Sequence, residues 1–167
     1  MTNVFGQHRP EIPYQPIAEL LAQHARRDPA KIAIVDLEQD SSISYGALEA
    51  AVTDIACALK QRGVTKGSRV LLLSDENLEK LLIWLGVWRL GAIVAPLNIE
   101  LNATLIADLA VSVGPVLTLV HKDLDGSALL AGKPFVRFGN YSSDPAAADP
   151  QDDLFRTMAR GVAAASM

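Results

Sequence analysis

Few residues in this chain have the type and spacing that chemistry demands. His8, His24 and His121 are far apart and match no metal-ligand spacing, so each reads as a surface or packing histidine. Cys57 stands among Ile55, Ala58 and Leu59, with only Lys60 as a charged neighbour. That setting describes a buried, inert thiol rather than a nucleophile. The run L-L-L-S-D-E-N (71–77) places Ser74 and Asp75 where a strand gives way to a helix. A ligand can bind at such a sheet edge, as α/β proteins often arrange. The same residues, with Asn77, are also preferred helix caps, and capping is their commoner use. Trp84 and Trp88, one helical turn apart, can line a pocket or pack against a neighbouring domain or subunit. The sequence contains no G-x-S-x-G, no G-x-G-x-x-G and no G-x-x-x-x-G-K-[ST].

The elements that would position these residues follow from composition and pattern. A chain of 167 residues suits one domain with a real core. Half the residues are apolar and the mean hydropathy is +0.21, a surplus of apolar surface that invites a partner. The net charge of −4 excludes the basic stripe of a nucleic-acid binder, and 5% aromatics supply no stacking platform. One cysteine fits a reducing, cytoplasmic setting. The most apolar stretch, 81–97, is broken by Gly86, Arg89, Gly91 and Pro96 and falls short of the ~20 apolar residues of a membrane span.

Residues 1–14 read as an extended arm. A helix is expected from Pro16, with Ile17, Leu20, Leu21 and His24 on one face, stopped by Asp28-Pro29. Strands are expected at 31–37 and, as a hairpin return, at 41–44. The helix over 45–62 carries the stripe Leu48, Val52, Ile55 and Leu59, with Gly63 to end it. A strand at 69–73, a helix at 77–90 and a strand at 92–95 follow. Asn102 caps a helix with Leu105, Ile106, Leu109 and Val113 inward, and further strands lie at 116–120 and 134–138. This order predicts an α/β fold with a mostly parallel sheet and flanking helices over 15–140. The Asp/Pro/Ala-rich residues 141–167 read as linker and tail. The helix over 77–90 is apolar almost all round, so it should be covered on two sides. Leu81, Trp84, Leu85 and Trp88 are its candidate interface.

Two ordered blocks carry a resemblance. I-S-Y-G-A-L-E-A-A-V-T-D-I-A-C-A-L-K-Q-R-G-V-T-K-G-S-R-V (43–70) and W-R-L-G-A-I-V-A-P-L-N (88–98) resemble the opening segments of the adenylate-forming superfamily. That superfamily includes acyl-CoA synthetases, luciferases and peptide-synthetase adenylation domains. The resemblance covers residues 15 to 158 and implies the first N-terminal subdomain of such an enzyme. D-P-Q-D-D-L-F-R-T-M (149–158) resembles the approach to the family's phosphate loop, T-S-G-T-T-G-x-x-K-G, but A-R-G-V-A-A-A-S-M follows instead. The glycines that let backbone N–H groups cradle phosphate are missing. Ala47 replaces the family's Glu, so the capping box begun by Ser44 stays half made, a loss of about 0.5–1 kcal/mol. Glu100 stands where many acyl-CoA ligases carry Arg, so no contact with CoA phosphate is expected there.

The resemblance implies an N-terminal part of an ATP-dependent acyl-CoA synthetase, truncated, frameshifted or one half of a split system. The parent would use ATP, Mg and CoA. This stretch would bind no cofactor or metal, hold no catalytic residue, and be an inactive scaffold by itself. Its partner would be the remaining part of the ligase, or a second copy through the helix 77–90. The alternative is a stand-alone interaction or regulatory protein using the same helix face. A weaker reading is a small-molecule site at the sheet edge near Ser74 and Asn98.

Overall fold

Five-residue apolar runs alternate with 3.6-period stripes, and the chain folds accordingly. A computed structural model describes residues 14–37, 40–141 and 154–155. The elements run α1 (Ile17–Arg27), β1 (Ile32–Asp36), β2 (Ser41–Ser44), α2 (Tyr45–Gln61), β3 (Arg69–Leu73), α3 (Leu78–Arg89), β4 (Ile93–Leu97), α4 (Ala103–Val113), β5 (Leu117–His121), α5 (Gly126–Leu129) and β6 (Val136–Phe138). The central sheet has the order β4-β3-β5-β6 and every pair is parallel. β1 and β2 form a separate antiparallel pair with an irregularity between Ile32 and Ile34. This is the α/β architecture with a parallel sheet and flanking helices that the sequence order predicts.

Strand alternation sorts the core into two layers. Val70, Leu72, Leu119 and Phe138 join residues of α1, α2 and α3 on one face. Leu71, Leu73 and Val120 meet Ile106, Ala110 and Leu130 on the other. Successive side chains of a strand point to opposite faces, so β3 is buried on both. The α2 stripe is buried as expected, and Cys57 is not. The thiol is exposed because it lies on the outer side of α2, away from Leu48, Val52, Ile55 and Leu59. On α4, Leu105 is exposed and Ala110 takes the inward place beside Ile106. The one-turn helix α5 has no counterpart in the sequence reading; four residues are too few to show a period. β4 runs to Leu97, through Pro96, two residues beyond the expected end. Pro96 is tolerated because β4 is an edge strand. Most of the expected arm and of the 141–167 linker lies outside the described residues. Leu154 and Phe155, within that linker range, pack in the core, where Phe155 meets Phe138 and Tyr141 edge to face.

Each of the two blocks that carry the resemblance contains a helix stop. At the end of α2, Gly63 N–H donates to Lys60 O and Val64 N–H to Leu59 O, at 3.0 and 3.1 Å. At the end of α3, Gly91 N–H donates to Trp88 O and Ala92 N–H to Val87 O, at 2.9 and 3.1 Å. Both are Schellman motifs, and each needs the left-handed backbone that glycine supplies, with φ of 85° at Gly63 and 67° at Gly91. The start of α2 matches expectation too. Ser44 Oγ accepts from Ala47 N–H at 3.3 Å, the half of the capping box that Ala47 leaves possible.

α3 sits unusually close to α2. A Cβ added at Gly86 would lie 2.5 Å from Ile55 Cγ2. Gly86→Ala gains about 1 kcal/mol of helix propensity, but overpacking costs about 1–3. The net cost of up to about 2 kcal/mol is expected to lower the thermal midpoint by up to about 8 °C; a midpoint that rises would show that α2 and α3 can part without loss.

Candidate functional site

Parallel strands put their C-terminal ends at one edge, where loops collect side chains. Here a cleft of about 420 Å³ lies at the ends of β3 and β4, lined by Ser74, Asp75, Glu76, Lys80, Trp84 and Asn98 among others. The two residues named from sequence for this edge, Ser74 and Asn98, are thus brought to one cleft. Asn77 is the cap. Its Oδ1 accepts from Lys80 N–H at 2.8 Å and its Nδ2 donates to Ser74 Oγ at 3.0 Å. Ser74 is 2% exposed and held by that bond, so it is not presented as a nucleophile. Asn98 Oδ1 accepts from Glu100 N–H at 2.9 Å, which shapes its own turn.

The charges at this edge are mostly negative. Lys80 is buried, and its ammonium donates to Glu76 and, at 3.4 Å, to Ser74 O. Asp75, Glu76 and Glu100 line the same cleft. An ATP triphosphate would meet three carboxylates and one ammonium already paired, so the residues present do not fit it. Sequence reasoning missed the burial of Lys80 and Glu79. Glu79 accepts from Tyr141 N–H at 2.9 Å and so fixes the chain as it leaves β6. Arg89, the third charge of α3, grips Glu49 of α2 at 2.9 and 2.5 Å and donates to Thr53 at 2.8 Å. All three charges of this apolar helix point inward. For Glu79 and Arg89 no local pattern signals that, because their partners are Tyr141, beyond β6, and Glu49 and Thr53 on α2; Lys80 pairs with Glu76 only four residues away.

The four candidate interface residues share the outward strip of α3. Leu81 and Trp88 are 40% and 44% exposed, and Trp84 and Leu85 are half-buried. Trp84 and Trp88 meet edge to face at 5.6 Å. The indole Nε1–H of Trp84 is buried with no acceptor among the described residues. α2 and the sheet cover the rest of the helix, so the second cover expected for α3 comes from this chain. Of the histidines, His24 stacks on Tyr45 and His121 is buried against Phe138. His8 lies outside the described residues. Among the described residues, no cluster of His, Cys, Asp and Glu could hold a metal ion, and no helix is long and apolar enough to cross a membrane.

A family model described as AMP-binding enzyme matches residues 21–154. Among curated proteins, the chain is 43% identical to 3-hydroxybenzoate–CoA ligase of Aromatoleum sp. (strain CIB) over 60 residues, 36% of this chain and 12% of that one. It is 33% identical to 4-coumarate–CoA ligase-like 3 of Oryza sativa subsp. japonica over 146 residues, 86% of this chain and 24% of that one. Among solved structures, the luciferase-like enzyme of the nonluminescent mealworm Zophobas morio superposes with a TM-score of 0.72 at 20% identity, over 92% of this chain and 36% of that one. At that identity the likeness concerns the fold. The chain spans 24% or less of the length of the two curated relatives.

A second cavity, about 680 Å³, is lined by Ile43, Ala47, Ala50, Leu78, Asp54 and Tyr141 among others. Burial pushes the Asp54 carboxyl above the usual carboxylate range. The Tyr141 phenol is pushed up by its own burial and then by the charge of Asp54. A carboxyl whose folded pKa is raised weakens the fold where it is charged, and that cost disappears as pH falls to the unfolded value. Asp54→Asn is therefore expected to raise the thermal midpoint near about pH 7, with the gain fading by about pH 4. An equal gain at both values would assign the effect to something other than the charge.

Proposed function

The chain belongs to the AMP-binding enzyme family, and from that premise we propose that these residues are the scaffold layer of an acyl-CoA ligase. The parent enzyme joins a carboxylic acid to ATP, releases pyrophosphate, and passes the acyl group to CoA. The matches to two CoA ligases support that reaction class. In-line attack at phosphorus needs donors and cations around the phosphates. The observation that carries the scaffold reading is the acidic sheet edge, where Asp75, Glu76 and Glu100 surround an ammonium already engaged by Glu76. ATP, Mg and CoA are then held by other parts of the ligase. In this reading Lys80, Glu79 and Arg89 fix the position of α3 and contribute nothing to the chemistry. The lone cysteine suits a reducing, cytoplasmic setting.

A second reading rests on the exposed strip Leu81, Trp84, Leu85 and Trp88. In it the chain is an interaction or regulatory protein that pairs with itself or a partner through α3. A monomer in sizing chromatography counts against self-pairing.

Two measurements test the scaffold reading together. The isolated 167-residue chain is expected to catalyse no ATP–pyrophosphate exchange with any carboxylic acid. Grafted in place of the 146 matched residues of the rice ligase-like protein, it is expected to retain whatever exchange that protein has. Exchange by the isolated chain would contradict the reading. So would a folded chimera that has lost all exchange.

A further inference from the structure

The cavity of about 680 Å³ beside α2 holds a charge that the scaffold does not use. Ala47, Ala50 and Asp54 stand at i, i+3 and i+7 of α2, so they share one face of the helix. Ser42 and Ser44 stand at alternate positions of β2, so they share one face of the strand. All five line the cavity, and Ile32, Leu78 and Tyr141 close it. The Tyr141 wall is fixed in place: its N–H donates to Glu79, and its ring lies edge to face on Phe155 at 5.6 Å. The volume falls within the about 300–1,000 Å³ usual for small-molecule sites.

One charge faces this space. Asp54 is half-buried, and among the described residues it has no hydrogen bond and no ion pair. Glu49 and Glu79, the other inward carboxylates of α2 and α3, each have a partner. No Lys, Arg or His lines the cavity among the described residues. The Asp54 charge therefore weakens the fold with nothing beside it to offset the loss. A half-buried carboxylate left unpaired on a concave wall is a counter-charge without its cation.

The chemistry of the walls selects an organic cation. A hard metal ion takes about six or more oxygens, several of them from carboxylates. Here one carboxylate is offered. The Ser42 and Ser44 hydroxyls add acceptors; Ser44 Oγ accepts from Ala47 N–H and keeps a second lone pair. Ile32 and Leu78 offer apolar surface to a hydrocarbon body. We propose that this cavity is a binding site for a small organic amine, its ammonium on Asp54 and the serine hydroxyls and its hydrocarbon body against Ile32, Leu78 and the Tyr141 ring. The inference does not depend on the ligase reading.

Hexylamine and phenethylamine are titrated into the 167-residue chain to about 10 mM at about pH 8 and fixed ionic strength, where amine and carboxyl are both charged. Hexanol and phenethyl alcohol, alike in shape and uncharged, are the controls. Binding is read from the backbone amide shifts of α2 and β2 in nitrogen-edited NMR spectra. At least one amine is expected to bind with a Kd of about 1 mM or lower, and its alcohol about tenfold more weakly or worse. Asp54→Asn keeps the shape, removes the charge and is expected to weaken amine binding by about tenfold or more. That variant is expected to be the more stable at neutral pH, so its loss of binding is not loss of fold. Ala50→Leu, at an exposed position, narrows the cavity from α2 and is expected to weaken binding as well. Equal binding of amines and alcohols overturns recognition of the charge. Absence of binding by both amines, or binding indifferent to both substitutions, overturns the site. Tighter binding of acetyl-Ala-Lys-Ala amide than of either amine gives the cavity to a lysine side chain and overturns the small-molecule occupant. None of these results touches the ligase reading, which the chimera tests.

Discussion

The close approach of α3 to α2, made possible by Gly86 lying against Ile55, sets the arrangement of everything around it. With no side chain on Gly86, the Ile55 side chain of α2 packs directly on the backbone of α3, and the charges of α3 come within reach of fixed partners. Arg89 meets Glu49 and Thr53 on α2, Glu79 meets the Tyr141 N–H, and Lys80 meets Glu76 and the end of β3. Long polar side chains can then be used as struts inside an apolar layer, provided each finds its partner. The same rotation leaves Leu81 and Trp88 facing outward. A helix that reads as apolar all round is thus asymmetric in the fold, with polar ties inward and an apolar strip outward.

Much of this architecture is legible in the sequence. The stripe of α2, the glycines that stop α2 and α3, the hairpin over β1 and β2, and the alternation that makes a parallel sheet are all local patterns. Local patterns survive folding because propensity and burial agree in them. What sequence does not carry is the identity of distant partners. Cys57 sits among apolar neighbours in the chain yet on the outer side of its helix. Leu105 belongs to an apolar run but stands a third of a turn from the stripe through Ile106 and Ala110. Glu79 reads as a surface acid until Tyr141, sixty-two residues on, is placed beside it. The candidate site was legible in outline: Ser74 and Asn98 do share a cleft. Its chemistry was legible in part: Asn77 caps α3, as its residue type suggests, but the burial of Lys80 and its bond to Ser74 O depend on geometry.

The two segments most like the adenylate-forming family are structural. R-G-V (62–64) and L-G-A (90–92) are both Schellman stops, and the loops that follow them are tied together, Gly67 N–H donating to Gly91 O at 2.9 Å and Ile93 N–H to Ser68 O at 2.8 Å. These bonds fix where β3 and β4 begin, and so fix their register from Arg69 opposite Ile93 to Leu73 opposite Leu97. A family signature can therefore record how a sheet is started rather than how a reaction is run. That agrees with an edge whose charges repel phosphate and a cleft whose serine is buried.

The central claim is that these residues hold a scaffold and no nucleotide clamp. Thermal unfolding of the 167-residue chain with and without Mg·ATP tests it most directly, because any ligand that binds the folded state alone must raise the midpoint. An unchanged midpoint is expected up to millimolar nucleotide. A rise of several degrees that grows with nucleotide concentration would place a phosphate site within this stretch and contradict the scaffold reading.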